Sequence, residues 1–389
     1  MPWTERTKMK ERVLFVSRLE NGESMAKVCR DFGVSRTTGY KFLARYNQAG
    51  IEGMGDLARR PYTNPRRTSE VIVDLLLQLK TEKPHWGALK IRELLKKRYP
   101  DIPIPARSTI DLIFDRHNLV KRRRQRRALL RARPTDLLPA EAPNDLWCID
   151  FKGQFRLGDG SYCYPLTISD SFSRYLIGCE ALEGTDMNPV FSAFEQIFRE
   201  YGLPKRIRSD NGTPFASTSI LGLTKLSVWF LRLGISLERI MPGNPQQNGQ
   251  HERMHRTLKL EATKPLESNI LKQQERFEKF KREFNEERPH QGIQLKTPKE
   301  LYSLSTQKYT RSLKDLDYPH HDLIRRVDCE GRIWLTGSKR DRKRFRIGAA
   351  FHGEKVGLKE KEEGLWDIDF MDHNLGIYDE KTNQFIPLA

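Results

Sequence analysis

The chain has 389 residues, 31% of them charged, and a formal net charge of +18. That length leaves room for several domains with real cores, and cations clustered rather than interspersed favour a polyanionic partner, with nucleic acid first. A charged amino terminus, apolar runs too short to span a bilayer, and five scattered cysteines without zinc spacing argue against a secreted, membrane or cysteine-zinc protein.

In chain order, residues 4–48 predict three helices inside a first domain over residues 1–57. Val13, Val16 and Leu19 recur at helical spacing up to Gly22. Ser24 and Ser35 stand at cap positions on either side of a break at Gly33, and Val28, Phe32, Val34 and Phe42 form the seam between the second and third helices. The third helix offers Arg36, Thr37, Thr38, Lys41 and Arg45 on its outer face. This is the build of a helix-turn-helix whose second element reads the major groove; a helical hairpin with a solvated basic face has the same spacing.

Residues 58–68 are Pro-rich and basic and read as a linker. A second helix-turn-helix, winged or plain, is expected over residues 69–120, with Arg107, Ser108 and Thr109 opening its reading helix. The linker 121–140 contains a run in which six of the seven residues 121–127 are basic. Arg122, Arg123, Arg124, Arg126 and Arg127 in it are expected to follow DNA phosphates, a solvated tether being the plain alternative.

Residues 141–265 change character. "NDLWCIDFKGQFR" predicts one strand, "LGDGS" a hairpin turn, and "YCYPLTIS" and "RYLIGCEAL" two more strands. A helix ending at Gly202, the short strand "KRIRS", a mostly helical stretch over residues 217–233, the strand "ISLERI" and the long helix "QHERMHRTLKLEA" complete a mixed α/β domain around one sheet. Residues 266–303 read as a helical extension, and the short alternating segments of residues 304–389 predict a small β-barrel.

Three acids stand out. Asp150 lies inside a strand, where a charge is costly unless compensated. Asp210 ends a strand, and Glu252 lies in the first turn of a helix. Such elements can converge on one sheet edge, where three carboxylates need a cation, and hard oxygen donors suit Mg²⁺ or Mn²⁺. Two such ions serve in-line displacement at phosphorus. Among the other acids, Asp170 is expected to shape a turn and pair with Arg174, Glu238 lies in a strand, and Glu261 falls on a different helix face from Glu252. Arg256 and Lys259 share the face of Glu252, at a spacing that helix-stabilising ion pairs also use.

"WCIDFKG", "IRSDNGTPF", "PGNPQQNGQHERMHRTLKLE" and "FNEERPHQGIQLKTPKELY" resemble the core motifs of bacterial insertion-sequence transposases of the DDE, retroviral-integrase-like superfamily, over roughly residues 140–303. The order of modules is most like the single-chain type. The resemblance implies a multidomain protein with α-helical helix-turn-helix domains, an α/β ribonuclease-H-like core with a mixed central sheet, and a small C-terminal β-barrel. It implies that Asp150, Asp210 and Glu252 are the catalytic triad and the metal ligands, holding two Mg²⁺ ions with Mn²⁺ as substitute, without a nucleotide cofactor. It further implies double-stranded DNA partners (terminal inverted repeats and a target), a homo-oligomer of at least two chains on that DNA, and a bacterial cytoplasmic protein associated with the nucleoid.

Arg256 and Lys259 fall where the family holds terminal DNA, and Asn211 and Asn248 in the same motifs are expected DNA contacts. The interval from Asp210 to Glu252 is longer than the family's usual one, with the surplus expected within residues 217–233. The His/Cys zinc domain of retroviral integrases is absent, so an integrase proper is not expected. The alternative is a non-catalytic, domesticated DNA-binding regulator built from the same modules.

Overall fold

The computed structural model describes residues 8–56, 67–120, 137–217, 220–241, 245–335 and 343–388. Two compact units result, Met1–Thr68 and Ser69–Ala389. The basic run, with Arg122, Arg123, Arg124, Arg126 and Arg127, lies outside the described residues, as does most of the linker before residue 67.

The first unit contains α1 (Lys8–Glu20), α2 (Met25–Asp31) and α3 (Arg36–Ala49). Phe15, Val16, Val28, Cys29, Phe42 and Met54 form its core, with Phe32 and Val34 packed against it. The Ser35 hydroxyl caps α3 by accepting from Thr38 N at 3.2 Å, whereas Ser24 makes no side-chain cap bond to α2. Gly39 sets how closely the helices pack: a Cβ there would sit 2.8 Å from Cys29 Sγ and 2.9 Å from the Phe15 ring.

The second unit opens with α4 (Glu70–Glu82), α5 (Ala88–Arg98) and α6 (Arg107–Arg116). Ile72, Leu76 and Leu79 on α4 meet Ile91, Leu94 and Leu95 on α5 and Ile110 and Phe114 on α6, each set spaced to share one helix face. No strand accompanies them among the described residues.

The sheet that follows is built from β1 (Leu146–Phe151), β2 (Phe155–Arg156), β3 (Tyr162–Asp170) and β4 (Leu176–Leu182), then α7 (Met187–Tyr201), β5 (Arg206–Ser209), α8 (Lys225–Arg232), β6 (Ser236–Arg239) and α9 (Gly249–Glu261). The single strand expected over residues 144–156 is two strands, broken where Gly153 takes φ 87°. β1 runs antiparallel to β3, and β3 antiparallel to β4, while β5 and β6 continue the sheet parallel to β1. Trp147, Ile149, Ile168 and Ile207 face α7, where Phe194 and Phe198 complete the main core. Residues 217–233 are less helical than expected: α8 covers only their second half, preceded by one short turn at Ile220–Gly222. That helix carries apolar residues on two faces because it is sandwiched. Leu226 and Phe230 face the central core, and Val228 and Leu231 face the C-terminal one.

α10 (Ile270–Arg282) packs on β4 through Phe277 and Phe280 and widens into a π-type turn over Glu283–Glu287. Six strands follow: β7 (Leu323–Arg326), β8 (Arg332–Trp334), β9 (Arg344–Arg346), β10 (Lys355–Glu362), β11 (Leu365–Phe370) and β12 (His373–Asp379), closed by a seventh, β13 (Gln384–Pro387). The expected barrel is not closed. Among the described residues β13-β12-β11-β10-β7 is an open antiparallel sheet, and β8 pairs with β9 alone. The two layers meet through side chains, with Phe345 stacked on Tyr378 at 4.0 Å, rather than through backbone bonds. No helix among the described residues is long and apolar enough to cross a membrane.

Candidate active site and nucleic-acid interface

The parallel pairing of β1 with β5 matches Cys148 to Arg208. Asp150 follows Cys148 by two residues on β1, and Asp210 follows Arg208 by two, just past the end of β5. Burial pushes the Asp150 carboxyl up to about 7, and the charges of Asp210 and, more weakly, Glu252 push the same way. Asp210 and Glu252 thus both act electrostatically on Asp150. They are not gathered into a closed ligand set: no group of three or more His, Cys, Asp or Glu among the described residues is placed to hold a metal ion. Asp210 Oδ1 instead accepts from Gly212 N at 3.1 Å, the turn chemistry an Asp-Asn-Gly sequence favours. Glu252 is exposed and forms no ion pair with Arg256 or Lys259 among the described residues, so the helix-stabilising reading of that spacing is not realised.

Two buried histidines hold α9 on the sheet. His251 Nε2 and His255 Nε2 lie 2.8 and 2.7 Å from Thr167 Oγ1, which donates to the Asp150 carbonyl at 2.9 Å. With that hydroxyl proton committed, both imidazoles donate to the oxygen, which makes them Nε2–H tautomers. His251 Nδ1 then accepts from Ser169 Oγ at 2.7 Å. Burial lowers His255 to about 3 and His251 far below its usual value, so both rings are neutral. The 3.7 Å approach of His255 Nδ1 to Asp150 Oδ2 is therefore a polar contact and not an ion pair. The i, i+4 spacing of the two histidines puts them on one helix face, and the alternation of Thr167 and Ser169 on β3 was the available signal for their partners.

The remaining acids have structural partners. Glu238 is bonded to Arg206 and Arg208, and Glu261 to Arg288 at 2.7 Å. Asp170 shapes its turn as expected, but its carboxylate accepts from Asn144 N, Ser173 N and Ser173 Oγ rather than from Arg174.

Arg36, Thr37 and Lys41 are exposed on α3, and Tyr40 beside them is 58% exposed, a large side chain the sequence reading passed over. Thr38 is half-buried, its hydroxyl 2.9 Å from Ser35 Oγ. On α6, Arg107 and Ser108 are exposed and Thr109 half-buried, and Arg107 approaches Asp111 at 3.5 Å. Arg256 and Lys259 are exposed on α9. Asn211 Nδ2 donates to the Ile240 carbonyl at 2.8 Å, and Asn248 is only 5% exposed, with Oδ1 lacking a partner.

Residues 140–245 and 233–298 match integrase core domains, and residues 6–55 and 38–113 match homeodomain-like domains. Residues 322–385 match the C-terminal domain of IS481 family transposases. With integrase core, homeodomain-like and IS481-type C-terminal domains, the chain has the make-up of an insertion-element transposase. A protein of insertion element IS407 from Burkholderia multivorans is 25% identical to this transposase chain over 238 residues, 61% of this chain and 82% of that protein. One of insertion element IS476 from Xanthomonas euvesicatoria is 22% identical over 270 residues, 69% and 75% of the two chains. The magnesium complex of the HTLV-2 integrase catalytic core domain is 18% identical, covering 42% of this chain and 99% of its own, with a TM-score of 0.33, too low to add to the assignment. The integrase core is that of a metal-dependent polynucleotidyl transferase, and the homeodomain-like domains make the transposase a DNA-binding protein.

Proposed function

We propose that this transposase binds the terminal inverted repeats of its insertion sequence through α3 and α6, and cuts and joins DNA at Asp150, Asp210 and Glu252. The observation that supports the reading is that Asp150 and Asp210 each follow the β1–β5 pair Cys148–Arg208 by two residues, and that the charges of Asp210 and Glu252 both raise Asp150. Their donor chemistry fits a hard divalent cation: the acids carry only oxygen donors, and their mutual repulsion is what a cation relieves. Mg²⁺, with Mn²⁺ as substitute and two ions per site, would be held by these three residues and would activate an attacking oxygen and neutralise a leaving one. The neutral His251 and His255 keep α9 against β3 and so fix where Glu252 stands, while Arg256 and Lys259 hold the phosphates of the terminal DNA. Water attacks first and a DNA 3′-hydroxyl second, without a covalent protein intermediate. The working form on DNA is a homo-oligomer of at least two chains.

The test is joining of a pre-nicked oligonucleotide carrying the terminal repeat. Wild-type protein that binds this DNA yet joins it to no target in Mg²⁺ or Mn²⁺ would leave the non-catalytic regulator as the better account.

A further inference from the structure

The excursion that runs from Asp210 to α8 is tied at both ends to the end of β6. Beside the acid, Asn211 Nδ2 donates to the Ile240 carbonyl at 2.8 Å, and Ile240 N donates to the Ser209 carbonyl at 3.3 Å. At the far end, the Arg239 guanidinium donates from Nη1 to the Leu221 carbonyl at 2.9 Å and from Nη2 to the Gly222 carbonyl at 2.8 Å. Arg239 is also the residue matched to Ser209 in the parallel β5–β6 pairing.

This arginine is half-buried and has no carboxylate partner among the described residues, and burial lowers its affinity for its proton. A cation withdrawn from water without a counter-charge is costly, so its bonds to the two carbonyls have to offset that cost. The turn they hold is strained as well. Leu221 has φ 52°, a left-handed backbone that a side chain tolerates only when its surroundings impose it. Gly222 follows at φ 65°, and a Cβ there would collide with Arg239 Nη1.

A relay of bonds leads from this turn back to the acid. The Gly222 carbonyl also accepts from Ser217 N at 2.9 Å. Just before Ser217, Phe215 N and Ala216 N both donate to the Gly212 carbonyl at 3.0 Å, and Gly212 N donates to Asp210 Oδ1. Phe215 is buried, with its ring 5.7 Å from that of Phe151, the neighbour of Asp150. In the other direction, Leu221 and Leu223 pack into the C-terminal core.

We propose that Arg239 is a positioning residue for Asp210: it locks the turn at Leu221 and Gly222 between β6 and the C-terminal core, and the locked turn steadies the Asp210 carboxylate at the end of β5. The inference rests on the reading of Asp210 as part of the reacting centre. It gives the C-terminal strands a part in the chemistry that requires no contact with DNA.

The test compares full-length wild type with Arg239→Gln, Arg239→Lys and Arg232→Gln. The last of these breaks the 3.0 Å bridge from α8 to Glu354 and leaves the turn alone. Amide hydrogen exchange is read without metal or DNA, and joining of pre-nicked ends is read at saturating DNA. In Arg239→Gln, exchange at Phe215, Ala216 and Ser217 should speed up about tenfold while the amides of β10 and β11 keep their rates. Joining should fall by about tenfold to a hundredfold with end affinity unchanged. Arg239→Lys can serve one carbonyl but not both, so it should lie between Arg239→Gln and wild type in both readouts, and it carries the test if Arg239→Gln does not fold. Arg232→Gln should leave exchange at Phe215, Ala216 and Ser217 as in wild type. Unchanged exchange at those amides in the Arg239 variants overturns the proposal. So does an equal rise across β10 and β11, which would make Arg239 an ordinary packing contact. An unlocked turn with joining at the wild-type rate overturns it too. A wild type that joins no ends, beside a turn unlocked in Arg239→Gln, would leave the latch standing and remove the chemistry from Asp210.

Discussion

Two three-helix modules of similar build stand in this chain, and they leave different surfaces uncovered. α1–α3 close on their own core in a unit of their own and leave Arg36, Thr37, Tyr40 and Lys41 exposed. α4–α6 close on an equally apolar core, but several of their side chains are engaged by the rest of the unit that carries the sheet. Lys83, its side chain 9% exposed, bridges to Glu283 at 2.7 Å and Glu287 at 3.4 Å, and the Arg288 guanidinium sits 5.4 Å over the Trp86 ring. Helical pattern alone therefore does not settle a module's task; the surface it has left over does. The first module keeps an exposed polar face on α3, whereas the second is also tied to the turn that follows α10.

The largest effect that can break this picture lies in neither module. Asp150→Asn should lower joining of pre-nicked ends in Mg²⁺ by several orders of magnitude while binding of those ends stays intact. Joining at wild-type rates would move the chemistry away from the β1–β5 edge. Next in size, Arg36→Ala combined with Tyr40→Ala should cut the preference for the terminal repeat over random DNA by about tenfold to a hundredfold, and Arg107→Ala by less. Equal losses in competition gel shifts would erase the distinction between the modules. Lys83→Met should then cost about 1–2 kcal/mol in a urea midpoint, between an exposed and a fully buried pair, with Lys41→Met as a near-silent control.

The smallest effect concerns pH. Asp150 is raised in the fold above its value in the unfolded chain, so it disfavours folding once ionised. Its penalty is absent below about pH 4 and is fully present above about pH 7. In metal-free buffer Asp150→Asn should melt a few degrees above wild type at pH 8, and the gap should close by pH 4. A constant gap across that range would show that Asp150 is not the titrating group.

Asp150 and Asp210 drew attention because strand interiors and strand ends are places where a charge needs a reason, and Glu252 because it opens a helix after a turn-forming loop. The α3 face and the buried seam of Val28, Phe32, Val34 and Phe42 were legible from spacing. Other features depend on contacts that no local pattern encodes. Lys83 and Glu283 meet across 200 positions of chain, and Thr167 receives histidines from a helix more than 80 residues later. The unclosed C-terminal sheet escaped for a related reason: alternating strands announce a sheet, but whether its edges bond to one another is settled in three dimensions. The stretch 217–224 read as helical because it is apolar, and its apolar residues instead face a second core.

That second core has a genetic consequence. Leu223, Val228 and Leu231 belong at once to the excursion between Asp210 and Glu252 and to the packing of the C-terminal strands. A frameshift or premature stop near residue 303 would not leave a small recombinase behind. It would leave a sheet with one flank stripped of its cover, in a chain that sticks to its neighbours and is a ready substrate for proteolysis. Loss of the last strands should therefore silence the element as thoroughly as loss of an acid, through the disappearance of the protein rather than the failure of its chemistry.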